Sequence, residues 1–334
     1  MAPKRGSTSS AAGSPQTSAV KRSRSSPTWA EFVAGLETVV GREDVANACT
    51  EPFARYVRAE VIKQLSETDR EHAEAMWSAG NSVTACGAKV GGDKIIRAMC
   101  SVVLSFMTTI KTSSTAAAML WAAFPGGPTQ LLAALGDEEG VVNEGRARLW
   151  QLMSGKDMGG SGCGQQRKRI QPIHLALLAN KEQPFDGPGG RLDGKDYVQA
   201  TKELTAIKGF GPKLAACVLG FTCDHAVLAV DTNVAKVTNA LGWVTTKDEK
   251  QIHNELNGKG DVAGLIPRSI EGYGNLRRTL HSLLLNLGQA IAGKAEGLVV
   301  EEERNVLVSI DPKQAQKEAA EFVRKWKALG MPAV

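Results

Sequence analysis

The sequence lacks a hydrophobic run long enough to cross a membrane. Its longest mostly apolar stretch, Ala98 to Ile110, ends at Lys111, well short of the roughly 20 residues that a spanning helix needs. The N-terminus also lacks the apolar segment of a secretory signal. Aromatic residues are few, at 5%, but 43% of the 334 residues are apolar, which is typical of a globular protein. We therefore expect a soluble protein that does not bind membranes.

Cysteine pairs with the spacing of a metal site are also absent. The six cysteines are scattered, and none forms a Cys-x-x-Cys pair, so zinc binding and thioredoxin-like chemistry have no support. The five histidines show no metal-ligand spacing either. We expect reduced thiols that behave as small apolar residues.

Most of the chain lacks an excess of charge of either sign. The net charge is +5, and residues 1–28 alone carry five basic residues and no acid, which leaves 35 basic and 35 acidic residues in the remainder. Overall basicity therefore says nothing about nucleic-acid binding by the folded body. The first 28 residues are rich in Ser, Ala, Gly and Pro, and we expect them to be disordered.

Two basic clusters in this tail, Lys4-Arg5 and Lys21-Arg22-Ser23-Arg24, are separated by 15 residues. This spacing resembles a bipartite nuclear import signal, and we expect a nuclear protein. An organellar transit peptide, which is also Ser- and Arg-rich and poor in acids, is the alternative.

From Trp29 onward the hydrophobic period is that of helices, and the predicted architecture is all-α. Extended structure is indicated only at Ala226–Val230 and where residues 299–300 face residues 306–308. The predicted helices include one around residues 95–106 that is buried nearly all round, one that Pro128 opens, one that Pro172 opens, one with a leucine stripe from Leu276 to Ile291, and a charged surface helix from Pro312 to Leu329.

A glycine turn joins two of the predicted helices. One helical face ends at Ile207, the next begins at Leu214, and Gly209-Phe210-Gly211 lies between them. The glycines permit backbone angles that other residues disfavour, and Phe210 would anchor the turn in the core. N–H groups at the start of the second helix suit a phosphate oxygen. The pattern predicts a helix-hairpin-helix that grips the DNA backbone, although an ordinary αα-hairpin fits the spacing equally well.

Two charged residues near the turn are candidates for catalysis. Lys213 lies in the first turn of the second helix, where the positive end of the helix dipole favours the neutral amine that a Schiff-base nucleophile needs. Asp231, eighteen residues later, follows an apolar extended segment and precedes another helix. The plain alternatives are an exposed or phosphate-contacting lysine and an aspartate that only caps a helix.

The stretch from Leu204 to Trp243 resembles the helix-hairpin-helix DNA glycosylase superfamily, and most closely endonuclease III and the plant DEMETER-type 5-methylcytosine glycosylases. The strings that carry the resemblance are GFGPK at residues 209–213, VDTNV at 230–234 and LGWV at 241–244. A weaker similarity extends from about Lys94 to Lys294.

The resemblance implies a fold and roles for individual residues. Two helical lobes enclose a DNA-binding cleft, Lys213 matches the lysine that attacks the sugar, and Asp231 matches the aspartate that assists departure of the base. Gly209, Phe210 and Gly211 match the phosphate-binding hairpin. The domains that follow are a disordered basic tail (1–28), N-terminal helices of the second lobe (29–93), a helical barrel that ends in the hairpin (94–213) and C-terminal helices that complete the second lobe (214–334).

The sequence departs from this family in two places. Relatives usually carry four cysteines that bind a four-iron cluster, but Ala292 stands where the first would be and no cysteine follows Cys223, so we expect no iron-sulfur cluster and no other cofactor. Met107 occupies a position where many relatives have a Gln that fills the hole left by the flipped base.

Arg167 and Lys168 form a basic patch that either contacts phosphates or is a solvated helix start.

The leading hypothesis is a bifunctional DNA glycosylase and AP lyase of base excision repair. It would act as a monomer on double-stranded DNA with a damaged or modified base, and nick the strand by β-elimination through a Schiff base on Lys213. The alternatives are a non-catalytic helix-hairpin-helix DNA-binding protein and a monofunctional glycosylase in which Asp231 activates water. The residues do not choose among oxidised pyrimidine, 5-methylcytosine and oxidised purine.

Overall fold

The structure is a computed structural model that describes residues 26–40, 67–68, 70–71, 93–105, 110–154, 166–259, 262–295, 298–301, 306–309 and 311–333. Within these residues the named helices are α1 (Trp29–Val40), α2 (Lys94–Leu104), α3 (Ile110–Ala123), α4 (Gly127–Leu135), α5 (Glu144–Ser154), α6 (Gln166–Glu182), α7 (Tyr197–Thr205), α8 (Pro212–Thr222), α9 (Thr232–Ala240), α10 (Glu249–Asn257), α11 (Leu276–Ile291) and α12 (Pro312–Leu329). Two short antiparallel pairs accompany them, β1 (Gly258–Lys259) with β2 (Val262–Ala263) and β3 (Leu298–Glu301) with β4 (Val306–Ser309). The predicted all-α class is confirmed.

One hydrophobic core lies among α2 to α8, which we call the first lobe. Helix α2 packs against α3, α6 and α8. Because it has neighbours on several sides, its Ile96, Met99 and Cys100 are completely buried, as the wide apolar stripe predicts. Pro128 lies in the first turn of α4, where its missing N–H costs no helical hydrogen bond.

A separate core forms the second lobe from α1 and α9 to α12. Helix α11 lies along α1, α9 and α12 and buries the leucine stripe that the sequence predicts. Aromatic rings fill the space near α1, where the ring centroids of Phe32 and Trp243 are 5.0 Å apart. The two ends of the described chain also meet here, because the N–H of Ala333 donates to the carbonyl of Pro27 at 2.7 Å. Residue 27 is thus joined to the folded body, whereas the sequence analysis counts it with the tail.

An extended segment, residues 227–230, connects the two lobes. Val227 and Ala229 belong to the first core, and Leu228 and Val230 belong to the second. Successive side chains of an extended chain point in opposite directions. Two of these four apolar side chains therefore pack in each lobe. The first core therefore continues past residue 213, where the sequence analysis ends the barrel, because α8 buries Leu214, Ala215, Val218 and Leu219 in it.

Helix α6 differs from its prediction. It begins at Gln166, so Pro172 lies inside the helix and does not open it. Pro172 removes one backbone donor there, and its ring lies against the glycine turn described below.

Several expectations fall outside the described residues. These are the basic tail up to residue 25, most of residues 41–92, Met107, and the side chain of Arg167. Among the described residues, every helix is too short or too polar to cross a membrane.

Candidate active site

The glycine turn between α7 and α8 has the geometry of a tight hairpin. The N–H of Phe210 donates to the carbonyl of Ile207 at 2.9 Å, and the N–H of Ala215 donates to the carbonyl of Gly211 at 3.1 Å. Gly209 has φ +92°, and a Cβ there would lie 2.4 Å from Cγ of Pro172. Position 209 therefore requires glycine for both its backbone angle and the contact with α6.

Gly211 departs from the prediction that both glycines have unusual backbone angles. Its φ is −79°, which any residue adopts, and a Cβ added there would meet nothing within 4 Å. The glycine instead leaves open space at the N-terminus of α8, where the first N–H groups of the helix have no intrahelical partner. It has no side chain to cap them, and Pro212 follows as the first helical residue.

Phe210 anchors the turn. Its side chain is 3% exposed and packs in the first core, as the sequence analysis expects. Because its N–H is bonded to Ile207, the only polar group that Phe210 can offer to DNA is its carbonyl oxygen. Of the three hairpin residues, the two glycines are the ones that face a cavity.

This cavity has a volume of about 870 Å³ and lies between the lobes. The first lobe contributes residues from α2, α6, α7, the hairpin and α8, and the second contributes Val230 and residues of α10. Glu249 is the one carboxylate among the residues of its wall, which include five lysines: Lys168, Lys202, Lys208, Lys213 and Lys250. A groove with this charge attracts a polyanion.

Lys213 and Lys168 therefore line the same cavity as both hairpin glycines. Lys168 is exposed in the first turn of α6, one residue after Arg167. Lys213 follows Pro212 in the first turn of α8 and is partly exposed. That the basic patch of Arg167 and Lys168 contacts phosphates stays a prediction.

Asp231 caps helix α9 as the sequence predicts. Its Oδ1 accepts a hydrogen bond from the N–H of Val234 at 2.7 Å, whereas its Oδ2 accepts none from the described residues. The side chain is 9% exposed. Val230, immediately before it, lines the cavity, but Asp231 itself is not part of that wall.

Lys213 and Asp231 nevertheless both affect the pKa values of two side chains, the partly buried Cys217 and the buried His281. Burial raises the pKa of the Cys217 thiol to about 11, an effect that the Lys213 ammonium opposes and the Asp231 carboxylate reinforces. Burial also lowers the pKa of His281, which Asp231 opposes and Lys213 reinforces. Each of the two candidate catalytic groups, one from each lobe, thus affects the pKa values of both Cys217 and His281.

A hydrogen-bonded pair in the cavity wall links the lobes. The hydroxyl of Tyr197 on α7 lies 3.1 Å from Nε2 of His253 on α10, and both residues line the cavity. Burial raises the pKa of Tyr197, and burial together with the charge of Arg277 lowers the pKa of His253. Sequence reasoning missed this pair because its members are 56 residues apart and neither lies in a motif.

The donor set does not fit a four-iron cluster. After α11 the sequence contains no cysteine, and Ala292 is the C-cap residue of that helix. In the described part of the chain, His, Cys, Asp and Glu form no group of three or more that could hold a metal ion.

Three curated proteins show what the chain is similar to. It is 41% identical over 69 residues to an Arabidopsis thaliana protein named "Putative DNA glycosylase", covering 20% of this chain and 24% of the relative. It is 29% identical over 101 residues to an endonuclease III homolog of Encephalitozoon cuniculi, covering 30% and 37%. Identity to endonuclease III of Thermotoga maritima is 32% over 92 residues, covering 28% and 38%.

These similarities are partial, since the aligned part of the chain spans between about a quarter and two fifths of the length of each relative. No family model and no solved structure matches the chain. The names of the relatives, the helical fold and the glycine hairpin are all consistent with the fold of a helix-hairpin-helix glycosylase. Over part of its length the chain is therefore similar to a protein named as a DNA glycosylase and to endonuclease III proteins, which is consistent with the helix-hairpin-helix DNA glycosylase superfamily.

Proposed function

We propose that this protein is a DNA glycosylase of base excision repair that also nicks the strand as an AP lyase. The observation that supports the proposal is the cavity between the lobes, whose wall includes Lys213 with both hairpin glycines and also Val230, the residue directly before Asp231. The names of the relatives support a glycosylase acting on DNA.

The groove and the hairpin would bind the DNA backbone. Open space at Gly211 lets a phosphate oxygen approach the free N–H groups at the start of α8. The lysines of the wall would neutralise neighbouring phosphates without reading sequence. The duplex would then present an extrahelical nucleotide to the groove between the lobes.

Asp231 and Lys213 suit the cleavage of an N-glycosidic bond. As the bond between C1′ and the base breaks, the base takes the electron pair and positive charge builds on the sugar, which a fixed carboxylate stabilises. The Lys213 amine, once deprotonated, bonds to C1′ and loses one proton, which the departing base takes up. The C1′–O4′ bond then breaks, O4′ takes the electron pair and a proton from solvent, and an iminium ion that keeps one N–H joins Lys213 to C1′. The iminium acidifies the 2′ proton, and its removal expels the 3′ phosphate by β-elimination. No step needs a metal or an oxidant.

The experiment is a panel of duplexes that each carry one oxidised pyrimidine, one 5-methylcytosine or one oxidised purine, with an undamaged duplex as control. Each reaction is divided, and only one half is treated with alkali. We expect at least one duplex to be nicked without alkali and the control to stay intact. Cleavage only after alkali would indicate a monofunctional glycosylase. Tight binding with no base release from any duplex would indicate a non-catalytic DNA-binding protein.

A further inference from the structure

Helix α11 contacts the elements that carry both proposed catalytic residues. It packs against α9, whose N-cap is Asp231, and against α8, whose first turn holds Lys213. Two residues on α11, His281 and Gly288, contact the backbone segment on either side of Asp231. They are seven residues apart, which is two helical turns, so they lie on the same face.

His281 contacts one residue on each of the two chain segments that carry the candidate catalytic groups. Its Nδ1 lies 2.8 Å from the carbonyl oxygen of Ala229, two residues before Asp231. Because a carbonyl only accepts, Nδ1 carries the proton and donates it. On its other side the imidazole meets the ring of Phe221 edge-on, with centroids 5.3 Å apart and planes at 72°. Phe221 belongs to α8, eight residues after Lys213.

Gly288 supports the same segment from the other side of Asp231. A Cβ at this position would lie 2.7 Å from Cβ of Asn233, two residues after Asp231. Only a glycine therefore allows α11 to approach the start of α9 this closely. The backbone around Asp231 is held on both sides, by a hydrogen bond at Ala229 and by close packing at Asn233.

We infer that His281 is a positioning residue that sets the separation between the Lys213 amine and the Asp231 carboxylate. This inference rests on the proposed function. His281 touches neither DNA nor the reacting atoms in this account, since it is 7% exposed behind the site. It acts through Ala229 on the aspartate segment and through Phe221 on the lysine helix.

A purely structural role predicts a different outcome. If His281 only fills the core, its replacement lowers stability in the same way as any other core change and leaves chemistry alone. A misplacement of about 1 Å between reacting groups can slow chemistry by about 100-fold. The rate of the chemical step separates the two roles.

The experiment compares wild type with His281→Leu, which keeps apolar volume and removes the donor, and His281→Asn, which keeps an N–H donor. Phe322→Leu is the control for lost stability, because Phe322 is a buried residue of the second core on α12. Single-turnover rates and duplex affinities are measured well below the melting temperature of every variant. We expect H281L to slow the reaction by about 10- to 100-fold with little change in affinity. H281N and F322L should retain most of the wild-type rate.

A wild-type rate in H281L, or an H281N variant as slow as H281L, would overturn the assignment. If H281L does not fold, Phe221→Ala provides the test, because Phe221 is 46% exposed and its removal need not unfold the protein. F221A should also slow the chemical step, and an unchanged rate in F221A would count against the inference. Absence of base release by wild type itself would be a failure of the proposed function and would be seen before any variant is made.

Discussion

Asp231 uses its two carboxylate oxygens differently. Oδ1 accepts the N–H of Val234 and so ends the extended segment and begins α9. Oδ2 accepts no hydrogen bond from the described residues, and in the proposed mechanism it is the oxygen that stabilises the sugar. A substitution that keeps the helix cap and removes the charge can therefore separate the structural role of Asp231 from its proposed catalytic role.

Asp231→Asn should slow base release strongly while the protein stays folded. Asparagine caps a helix about as well as aspartate, so the free energy of unfolding should change by less than about 1 kcal/mol. Loss of the charge should lower the single-turnover rate by about 100-fold or more. Asp311→Asn is the control, because Asp311 is also an N-cap residue, of α12, and its Oδ1 accepts the N–H of Lys313. Urea unfolding and single-turnover assays check the prediction, and equal rates in D231N and D311N would contradict it.

At this scale the sequence predicts the residues inside the motif and misses those outside it. Lys213 and Asp231 stand out because the strings around them are close together and specific. His281, Tyr197 and His253 become part of the site only through packing between helices that are about 50 residues or more apart along the chain. No local pattern marks such contacts.

The two glycines of the hairpin differ in what the structure requires of them. Gly209 needs its positive φ and its contact with Pro172, whereas Gly211 needs neither. The interior position of Pro172 in α6 explains part of this arrangement, because the turn packs directly on the proline ring. Reading Pro172 as a helix start was wrong since propensity alone does not register this tertiary contact.

Gly209→Ala and Gly211→Ala should therefore affect different properties, the first stability and the second DNA binding. G209A should lower the free energy of unfolding by about 2 kcal/mol or more, from a left-handed φ and a backbone shift away from Pro172. G211A should leave stability within about 0.5 kcal/mol but weaken duplex binding several-fold, because its methyl group stands where a phosphate would approach. Urea unfolding and fluorescence anisotropy measure the two effects. A G211A variant that binds DNA as wild type does would contradict the proposed phosphate site.

Helices with a strong apolar period were predicted best. The leucine stripe of α11 and the range Pro312–Leu329 of α12 agree with the structure. The end of the first lobe was harder to place, because Val227 to Val230 alternate between two cores. Because all four residues are apolar, the sequence does not show in which lobe each side chain is buried.

At the scale of the whole molecule, three histidines link stability to pH. Burial is the first cause that lowers the pKa of His225, His253 and His281 in the folded state. Above about pH 6.5, the ordinary histidine pKa, they are neutral in both states. As the pH falls below that value the unfolded chain binds more protons, so stability falls until the folded pKa values are reached.

We therefore expect the protein to be less stable at pH 5.5 than at pH 7.5. The slope has an upper limit of about 1.4 kcal/mol per pH unit for each histidine. Urea unfolding at several pH values measures it, and the double variant His253→Gln/His281→Asn should flatten the curve. Equal stability at the two pH values would show that these side chains are not buried as neutral groups.

The measurement that tests the central claim most directly is reductive trapping of the protein on lesion-containing duplex DNA with borohydride. Wild type should form a covalent adduct, and Lys213→Gln should form none. Lys208→Gln is the matched control, because Lys208 lines the same cavity, and it should still be trapped at saturating protein. A full yield of adduct in K213Q, or none in wild type on a lesion whose base it releases, would contradict the assignment of Lys213 as the nucleophile.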